Sequence, residues 1–569
     1  MTPGGLTQQA RAWIADDPSP ADRAELEDLL DLAGQPGPAG RAALAELADR
    51  FAGRLEFGTA GLRGVMGAGP ARMNRAVVRA ATMGLARWLH ERRPAAAQAG
   101  VVLGWDARHH SAEFAAEAAA VLTGAGIPVH LLPGQSPTPL LAFAVRYLSA
   151  GAGVMITASH NPPADNGYKL YLGDGAQIVP PVDAQIEAAI GEVGPLSGAA
   201  LGPLDGPLVT RHGGEIAEAY LTAILGVVPA AGPARDLRFV YTPLHGVAGR
   251  LMLQAIERAG YPAPHVVAAQ AEPDPGFPTV SFPNPEEPGA LDLALAEAAR
   301  LGADLVLASD PDGDRLAVAV PDPASGGWRT LTGDQTGSLL GAFLLDHTAG
   351  DPDPEQRLVA STVVSSQLLA GIAAAAGVQY KETLTGFKWI VRAADDQPDS
   401  RFVFGYEEAL GYAVGDVVRD KDGISAALTL LSLASRARAA GQSLAGRWDA
   451  LEAAYGVHLR AQLTVATRAP GEIMAGLRAA PPAELGGQPV LDVTDLAGGG
   501  PLPPSDVLIF RLPGGRAVVR PSGTEPKLKC YLEVVEPVTA VGLAAAREAA
   551  AARLTPLRAA ATALLAPPP

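Results

Sequence analysis

Residues 101–159 read VVLGWDARHHSAEFAAEAAAVLTGAGIPVHLLPGQSPTPLLAFAVRYLSAGAGVMITAS. Three short apolar runs, VVLGWD (101–106), PVHLL (128–132) and GVMITAS (153–159), alternate with the helical runs SAEFAAEAAAVLTGAG and PLLAFAVRYLSAG. A strand apolar on both faces must be covered on both, and helical connections of this length supply the cover, so the stretch predicts βαβ units with a mostly parallel sheet.

The same grammar returns twice downstream. RFVYTP (238–243), PHVVAA (264–269) and DLVLASD (304–310) are separated by GVAGRLMLQAIERAG and GALDLALAEAARLG; RLVASTVVSS (357–366), VQYKETL (378–384) and RFVFGYEE (401–408) make a third set. Beyond these, LRAQLTVAT, VLIFRL, RAVVRPS and LKCYLEVV are strands with few helices between them, followed by an Ala-rich helix near 538–564, the pattern of an α+β domain. Upstream, ADRAELEDLLDLA and GRAALAELADRFA read as paired amphipathic helices around GQPGPAG. The expected fold is α/β: three related mixed α/β domains with largely parallel sheets plus a C-terminal α+β domain. The expected boundaries are 1–230, 231–347, 348–455 and 456–569, in line with 569 residues at roughly 150 per domain.

A formal charge of −16 and a pI near 5.1 argue against general affinity for nucleic acid or anionic lipid. An anionic substrate would need positive charge gathered in its site. The N-terminus MTPGGLTQQARAWIADD has no basic stretch before an apolar core, and no run approaches the roughly 20 apolar residues of a membrane span, so the expected location is the cytoplasm. The single cysteine, Cys530, excludes an internal disulfide framework and reads as a buried strand residue. Only six of the 44 basic residues are lysines: Lys169, Lys381, Lys388, Lys421, Lys527 and Lys529. A chain that otherwise uses Arg has reason to keep Lys where a compact ammonium is required.

In open α/β sheets, ligands collect beyond the carboxyl ends of the strands. Each repeat ends a strand in an odd polar loop there: TASHNPPADNG, SDPDGDR and GYEEALGY. Three such loops imply a cleft at domain interfaces. Ser159 follows directly on an apolar strand, without the GxSxG elbow of a hydrolase; a turn serine would read the same way. Asp310, Asp312 and Asp314 set three carboxylates within five residues, and at 4 Å each like-charge pair costs about 4 kcal/mol at an effective dielectric near 20. All-carboxylate ligation favours Mg²⁺, Mn²⁺ or Ca²⁺ over zinc, and Pro321 at the twelfth position, in place of a bidentate Glu, argues against an EF-hand. Arg520, Ser522, Gly523, Thr524 and Lys527, in RPSGTEPK, offer a guanidinium, hydroxyls, an ammonium and a Gly-permitted nest for a phosphate. Glu407 in GYEEALGY can accept hydrogen bonds from a polyol, and Lys388 lies just upstream in TGFK. FGTAGLRG, with Arg63, is a further Gly-rich loop but no Walker A.

Taken in order, TASHNP, DPDGDR and RPSGTEP resemble the α-D-phosphohexomutase superfamily, the phosphoglucomutases and phosphomannomutases, from about Phe57 to Tyr531. FGTAGLRG, TLTGFKW and GYEEALGYAVGDVVRDKDG are most similar to the subgroup of bacterial α-phosphoglucomutases and phosphopentomutase-type enzymes. The resemblance implies four domains around a central cleft and Ser159 carried as phosphoserine. It implies one Mg²⁺ held by Asp310, Asp312, Asp314 and a phosphoserine oxygen. Lys169, Arg63 and Arg315 would then surround the transferring phosphoryl group, with Lys169 as general acid/base. The 520–527 loop would grip the non-reacting phosphate. Glu407 and Lys388 would face the sugar, with Tyr406 adding bulk, and Ala409 stands where many members have serine, which opens the question of the sugar.

The expected reaction interconverts glucose 1-phosphate and glucose 6-phosphate through a bisphosphate that turns end for end, with glucose 1,6-bisphosphate as activator. Mannose or pentose phosphates are the alternatives on the same scaffold. An aspartyl-phosphate phosphatase would need no TASHNP serine, and a non-enzymatic sugar-phosphate sensor would need no metal carboxylates. The expected partner is a small phosphosugar, with neither nucleic acid nor membrane, and the expected state a monomer or homodimer.

Overall fold

The computed structural model describes residues 3–322, 325–397, 399–467, 469–522 and 527–566. The chain forms two compact units. The first comprises Met1–Ala231, Arg235–Ala319 and Asp416–Leu428, the second Gly232–Ala234, Val320–Gly415 and Thr429–Pro569.

In the first unit, the strands expected at the head of 101–159 form the middle of a six-stranded sheet. Val101–Trp105 pairs in parallel with both Val129–Gln135 and Ala152–Ile156, and Val129–Gln135 in parallel with Val209–Arg211. The other edge is antiparallel: Asp165–Leu172 runs back along Ala152–Ile156, and Leu62–Val65 lies against it. This reversal matters because it returns Lys169 and Arg63 to the neighbourhood of the strand that ends before Ser159. The core is built as the pattern requires: Val101, Leu103, Val129, Ala152, Val154 and Ile156 are wholly buried against Leu85, Leu89, Ala118 and Leu122 of the covering helices Arg75–Arg92 and Ser111–Gly124.

The second sheet of this unit sets Phe239–Thr242 between His265–Val266 and Leu305–Ser309, both parallel, with Leu316–Asp322 antiparallel beyond. The N-terminal region contains the two expected helices, Pro20–Ala33 and Pro38–Arg50, and a third, Pro3–Asp16, that its weak pattern had not disclosed. Pro at the first turn and Ser19, whose hydroxyl accepts from Asp22 N, start the second helix. Leu6, Ala10, Leu26, Leu47, Phe51 and Ala68 form their shared core.

In the second unit, Arg357–Thr362 pairs in parallel with Gln379–Thr383 and Arg401–Glu407, and Gly411–Val414 turns back on Arg401–Glu407. The C-terminal sheet is antiparallel throughout, ordered Val457–Ala466, Lys527–Glu536, Gly515–Pro521, Leu508–Leu512 and Asp492–Asp495. The helix Leu543–Leu564 shares this sheet's core through Ala546, Ala550, Leu557 and Ala561, and Cys530 is buried in it as expected. Among the described residues, no helix is long and apolar enough to cross a membrane.

Candidate active site

The strand Ala152–Ile156 ends in a turn that Thr157 organises, its hydroxyl accepting from Ser159 N at 2.8 Å. Ser159 adopts φ +52°, the left-handed region that side-chain-bearing residues rarely enter. Its hydroxyl donates to Asp310 Oδ2 at 2.8 Å, although the two residues are 151 positions apart. Asp310 sits where the strand Leu305–Ser309 ends, and its other oxygen accepts from Arg315 N at 3.0 Å. The turn that follows needs Gly313: at φ +72°, an added Cβ would stand 2.6 Å from Ala248 Cβ.

Asp312 and Asp314 complete a cluster with Asp310 in which the candidate ligand oxygens lie within 4.8 Å of one another, all buried. Lys169 Nζ reaches Asp312 Oδ2 at 2.6 Å and Asp314 Oδ2 at 3.1 Å, and Thr138 donates to Asp312 Oδ2 at 2.7 Å. The second oxygens, Asp312 Oδ1 and Asp314 Oδ1, are buried and accept no hydrogen bond among the described residues. Orphaned carboxylate oxygens this close fit a hard divalent cation. Burial, then the two neighbouring carboxylates, push the Asp310 carboxyl well above the usual carboxylate range. Burial also acts on Asp312, but the Lys169 ammonium together with the hydrogen bonds from Asp310, Lys169 and Thr138 outweighs it and holds this carboxyl low. Burial disfavours the Lys169 ammonium, yet Asp312 and Asp314 more than compensate and keep it protonated. Burial, then Arg315 and Arg63, drive His160 well below its ordinary value, so a neutral imidazole stands 3.4 Å from the Ser159 hydroxyl.

Of the expected basic groups, Arg63 donates to Asn161 Oδ1 at 3.0 Å in the serine loop, and Arg315 lies 3.9 Å from Asp314 Oδ1 and 3.7 Å from Glu286. The first unit therefore brings Ser159, Lys169, Arg63, Arg315 and the three aspartates together. Two residues missed in the sequence belong with them. Lys421 comes within 3.2 Å of Asp314 Oδ2; lysine scarcity had flagged it, but nothing local tied it to this loop. Arg108 donates to carbonyls of the serine loop, and its only sequence signal is that Asp106-Ala107-Arg108 follows a strand end.

In the second unit, Glu407 pairs with Gly411 across the hairpin and is almost fully buried. Glu408 accepts from Thr362 and Ser365 hydroxyls at 3.2 Å each, and Ala409 is half-buried in the turn. Tyr406 departs from expectation. Alternation along the strand turns its ring inward, wholly buried with its hydroxyl on Asp334 at 3.0 Å, so it backs the loop instead of adding bulk to a sugar pocket. Lys388 is half-buried on the short helix Phe387–Ile390. Arg520 and Lys527 lie on adjacent strands, joined where Ser522 N donates to Lys527 O at 2.8 Å; Gly523 and Thr524 lie outside the described residues. Burial, then the Glu408 carboxylate, push the Tyr531 hydroxyl up while Arg520 draws it down, so one tyrosine feels both the sugar-type loop and the phosphate-type hairpin.

Four consecutive matches cover the chain: phosphoglucomutase/phosphomannomutase alpha/beta/alpha domain I at residues 54–195, domain II at 218–326, domain III at 332–453 and the C-terminal domain at 460–551. The chain belongs to the phosphoglucomutase/phosphomannomutase family. It is a phosphomutase, an isomerase of the intramolecular phosphotransferase type. The Haemophilus influenzae protein named "Probable phosphomannomutase" is 44% identical over 471 residues, spanning 81% of this chain and 93% of that protein. The Mus musculus phosphopentomutase is 36% identical over 571 residues, spanning 94% and 90%. The crystal structure of a phosphoglucomutase/phosphomannomutase family protein from Burkholderia thailandensis shares the fold, with a TM-score of 0.67 at 21% identity over 88% of this chain and 96% of that one.

Proposed function

We propose that this phosphomutase interconverts glucose 1-phosphate and glucose 6-phosphate through a phosphoserine at Ser159. The observation that carries the reading is a strand-end serine whose hydroxyl meets a buried triad of aspartates, two of them with orphaned oxygens, beside a lysine held protonated. Asp310, Asp312 and Asp314 would hold Mg²⁺, which when bound neutralises charge on phosphoryl oxygens.

Phosphoryl transfer asks a protein mainly for positioning and charge complementarity. A hydroxyl of the sugar monophosphate attacks the phosphorus on Ser159. A P–O bond forms to the sugar oxygen and the bond to Ser159 Oγ breaks; the Lys169 ammonium gives a proton to Oγ and is reprotonated by the one the sugar hydroxyl releases, so no net proton is gained or lost. Arg63 and Arg315 orient the phosphoryl oxygens. The bisphosphate turns end for end and its other phosphoryl group returns to Ser159, with Arg520, Ser522, Gly523, Thr524 and Lys527 gripping whichever phosphate is not reacting. Glu407 and Lys388 read the sugar hydroxyls, and glucose 1,6-bisphosphate would recharge an enzyme that has lost its phosphate.

The name of the mouse relative favours a second reading on the same chemistry, with pentose 1-phosphates as substrates. Intact-mass and peptide analysis of the purified enzyme, with kcat/KM for glucose, mannose, ribose and deoxyribose 1-phosphates, tests both. Phosphate on Ser159 and highest kcat/KM for glucose 1-phosphate are expected. Turnover by Ser159→Ala would remove the nucleophile, and a preference for ribose 1-phosphate would replace the sugar.

A further inference from the structure

Ser159 stands at φ +52°, backbone that a residue with a Cβ rarely adopts and that persists only where its surroundings impose it. Four carbonyls of this loop point to one side chain. Arg108 Nη2 donates to Ser159 O at 2.6 Å and Asn161 O at 2.5 Å; Nη1 donates to Pro162 O at 2.7 Å and Asp165 O at 3.1 Å. The two terminal nitrogens of a guanidinium carry four N–H groups, so the count matches. The fifth, on Nε, faces Asp106 Oδ2 at 3.4 Å. Asp106 is itself held at the end of the strand Val101–Trp105, accepting from Arg108 N at 2.9 Å and Ser111 Oγ at 2.7 Å. The guanidinium lies 5.1 Å from the ring centre of the buried Phe277, and the Arg108 side chain is 1% exposed. A group held by all four of its terminal N–H donors, with an ion pair at its stem and a ring on its face, cannot swing.

We propose that Arg108 is a positioning residue for phosphoryl transfer, its planar fork gathering the carbonyls of residues 159–165 and holding Ser159 in the conformation that sends its hydroxyl to Asp310. The role rests on the phosphoserine reading and adds to it the device that shapes the nucleophile's loop. Lysine cannot substitute, because an ammonium has three donors on a point and no fork. Relaxation of the loop by even 1 Å is enough to cost about 100-fold in rate.

The test uses the full chain with Arg108→Lys, Arg108→Ala and Ser159→Ala, following thermal unfolding, kcat, KM and the rate at which glucose 1,6-bisphosphate phosphorylates dephosphorylated enzyme. Arg108→Lys should melt cooperatively and keep KM within about threefold, while kcat and the phosphorylation rate fall about 100-fold. Methylguanidine should restore part of the Arg108→Ala rate, and methylamine should not. A lower melting temperature with kcat intact, or equal rescue by methylamine, would overturn the role. Should neither Arg108 variant fold, Phe277→Leu keeps every hydrogen bond but removes the ring face. Its kcat should fall about fivefold at constant KM, and an unchanged kcat would overturn the role. A Ser159→Ala enzyme that still turns over overturns the phosphoserine reading and this role with it. An inactive Ser159→Ala beside an Arg108→Lys of normal kcat overturns the role alone.

Discussion

Lys169 touches both Asp312 and Asp314, so its ammonium neutralises carboxylates that would otherwise repel, and in the proposed reaction it is also the proton donor. Lys169→Met keeps the stem and removes the charge. Turnover should fall by about 100-fold or more, with a smaller change in KM, measured by steady-state kinetics at saturating Mg²⁺. Asp312 has one oxygen committed to Lys169 and Thr138 and one orphaned, so Asp312→Asn should leave the fold intact and raise the Mg²⁺ concentration for half-maximal activity. A Mg²⁺ titration after chelation checks this. A midpoint unmoved in Asp312→Asn would take Asp312 out of the metal site.

The elements matter through how they end. The loop 310–315 turns at Gly313, where left-handed backbone and contact with Ala248 exclude any side chain, so Gly313→Ala should displace the aspartates. It should weaken Mg²⁺ use and lower kcat together, read from the same titration. The sugar-type hairpin differs, since Ala409 is half-buried in an open turn while Glu407 is nearly enclosed. Loss of a charged acceptor costs roughly 1.5–3 kcal/mol, about tenfold or more in kcat/KM, so Glu407→Gln should depress every sugar phosphate. Ala409→Ser should change mainly the ratio between hexose and pentose phosphates. A kcat/KM panel on both variants separates the two effects. The segment Asp416–Leu428 is held along its length: buried Tyr171 and Tyr220 donate to Asp420 and Asp422 at 2.7 and 2.8 Å, and Lys421 between them lies 3.2 Å from Asp314.

At the scale of the molecule, the second unit is tied by a buried polar network. Glu533 accepts from Ser366 Oγ at 2.7 Å and Gln367 N at 3.0 Å, faces His458 Nδ1 at 2.9 Å and pairs with Arg516 at 3.3 Å; Arg516 continues to Glu382 at 2.7 Å, and Arg460 pairs with Asp334. These contacts join the sheet around Arg357–Thr362 to the C-terminal sheet that carries Arg520. Burial would raise the Glu533 carboxyl, but His458 and Arg516 overcome it and bring it down to about 2. A carboxyl lowered on folding stabilises above its unfolded value near 4.5, and that contribution fades as pH falls through about 2. It amounts to about 3 kcal/mol. Glu533→Gln should therefore lower the unfolding free energy by about that much at pH 7, and its denaturation curve should converge on wild type as the pH approaches 2. A constant difference across that range would place the stabilisation elsewhere.

Strand and helix order along 101–159, the three α/β repeats and the α+β make-up of the C-terminal domain were legible because period and turn chemistry are local properties of a chain. Ser159 and the three aspartates could be singled out as candidates because each lies in a short polar loop after a strand, and the fold brings the four together. The buried ring of Tyr406 was misread because a strand's two faces look alike until its neighbours are known. Arg108 and Lys421 were not marked as site residues because their partners are distant in sequence. Arg108 meets carbonyls more than 50 positions away, and Lys421 meets Asp314 across 107. Which residues were candidates for the chemistry was written in the loops. What holds those loops in reactive shape was decided only by tertiary contact, since a backbone carbonyl has no identity in sequence and its donor is chosen by proximity in the fold.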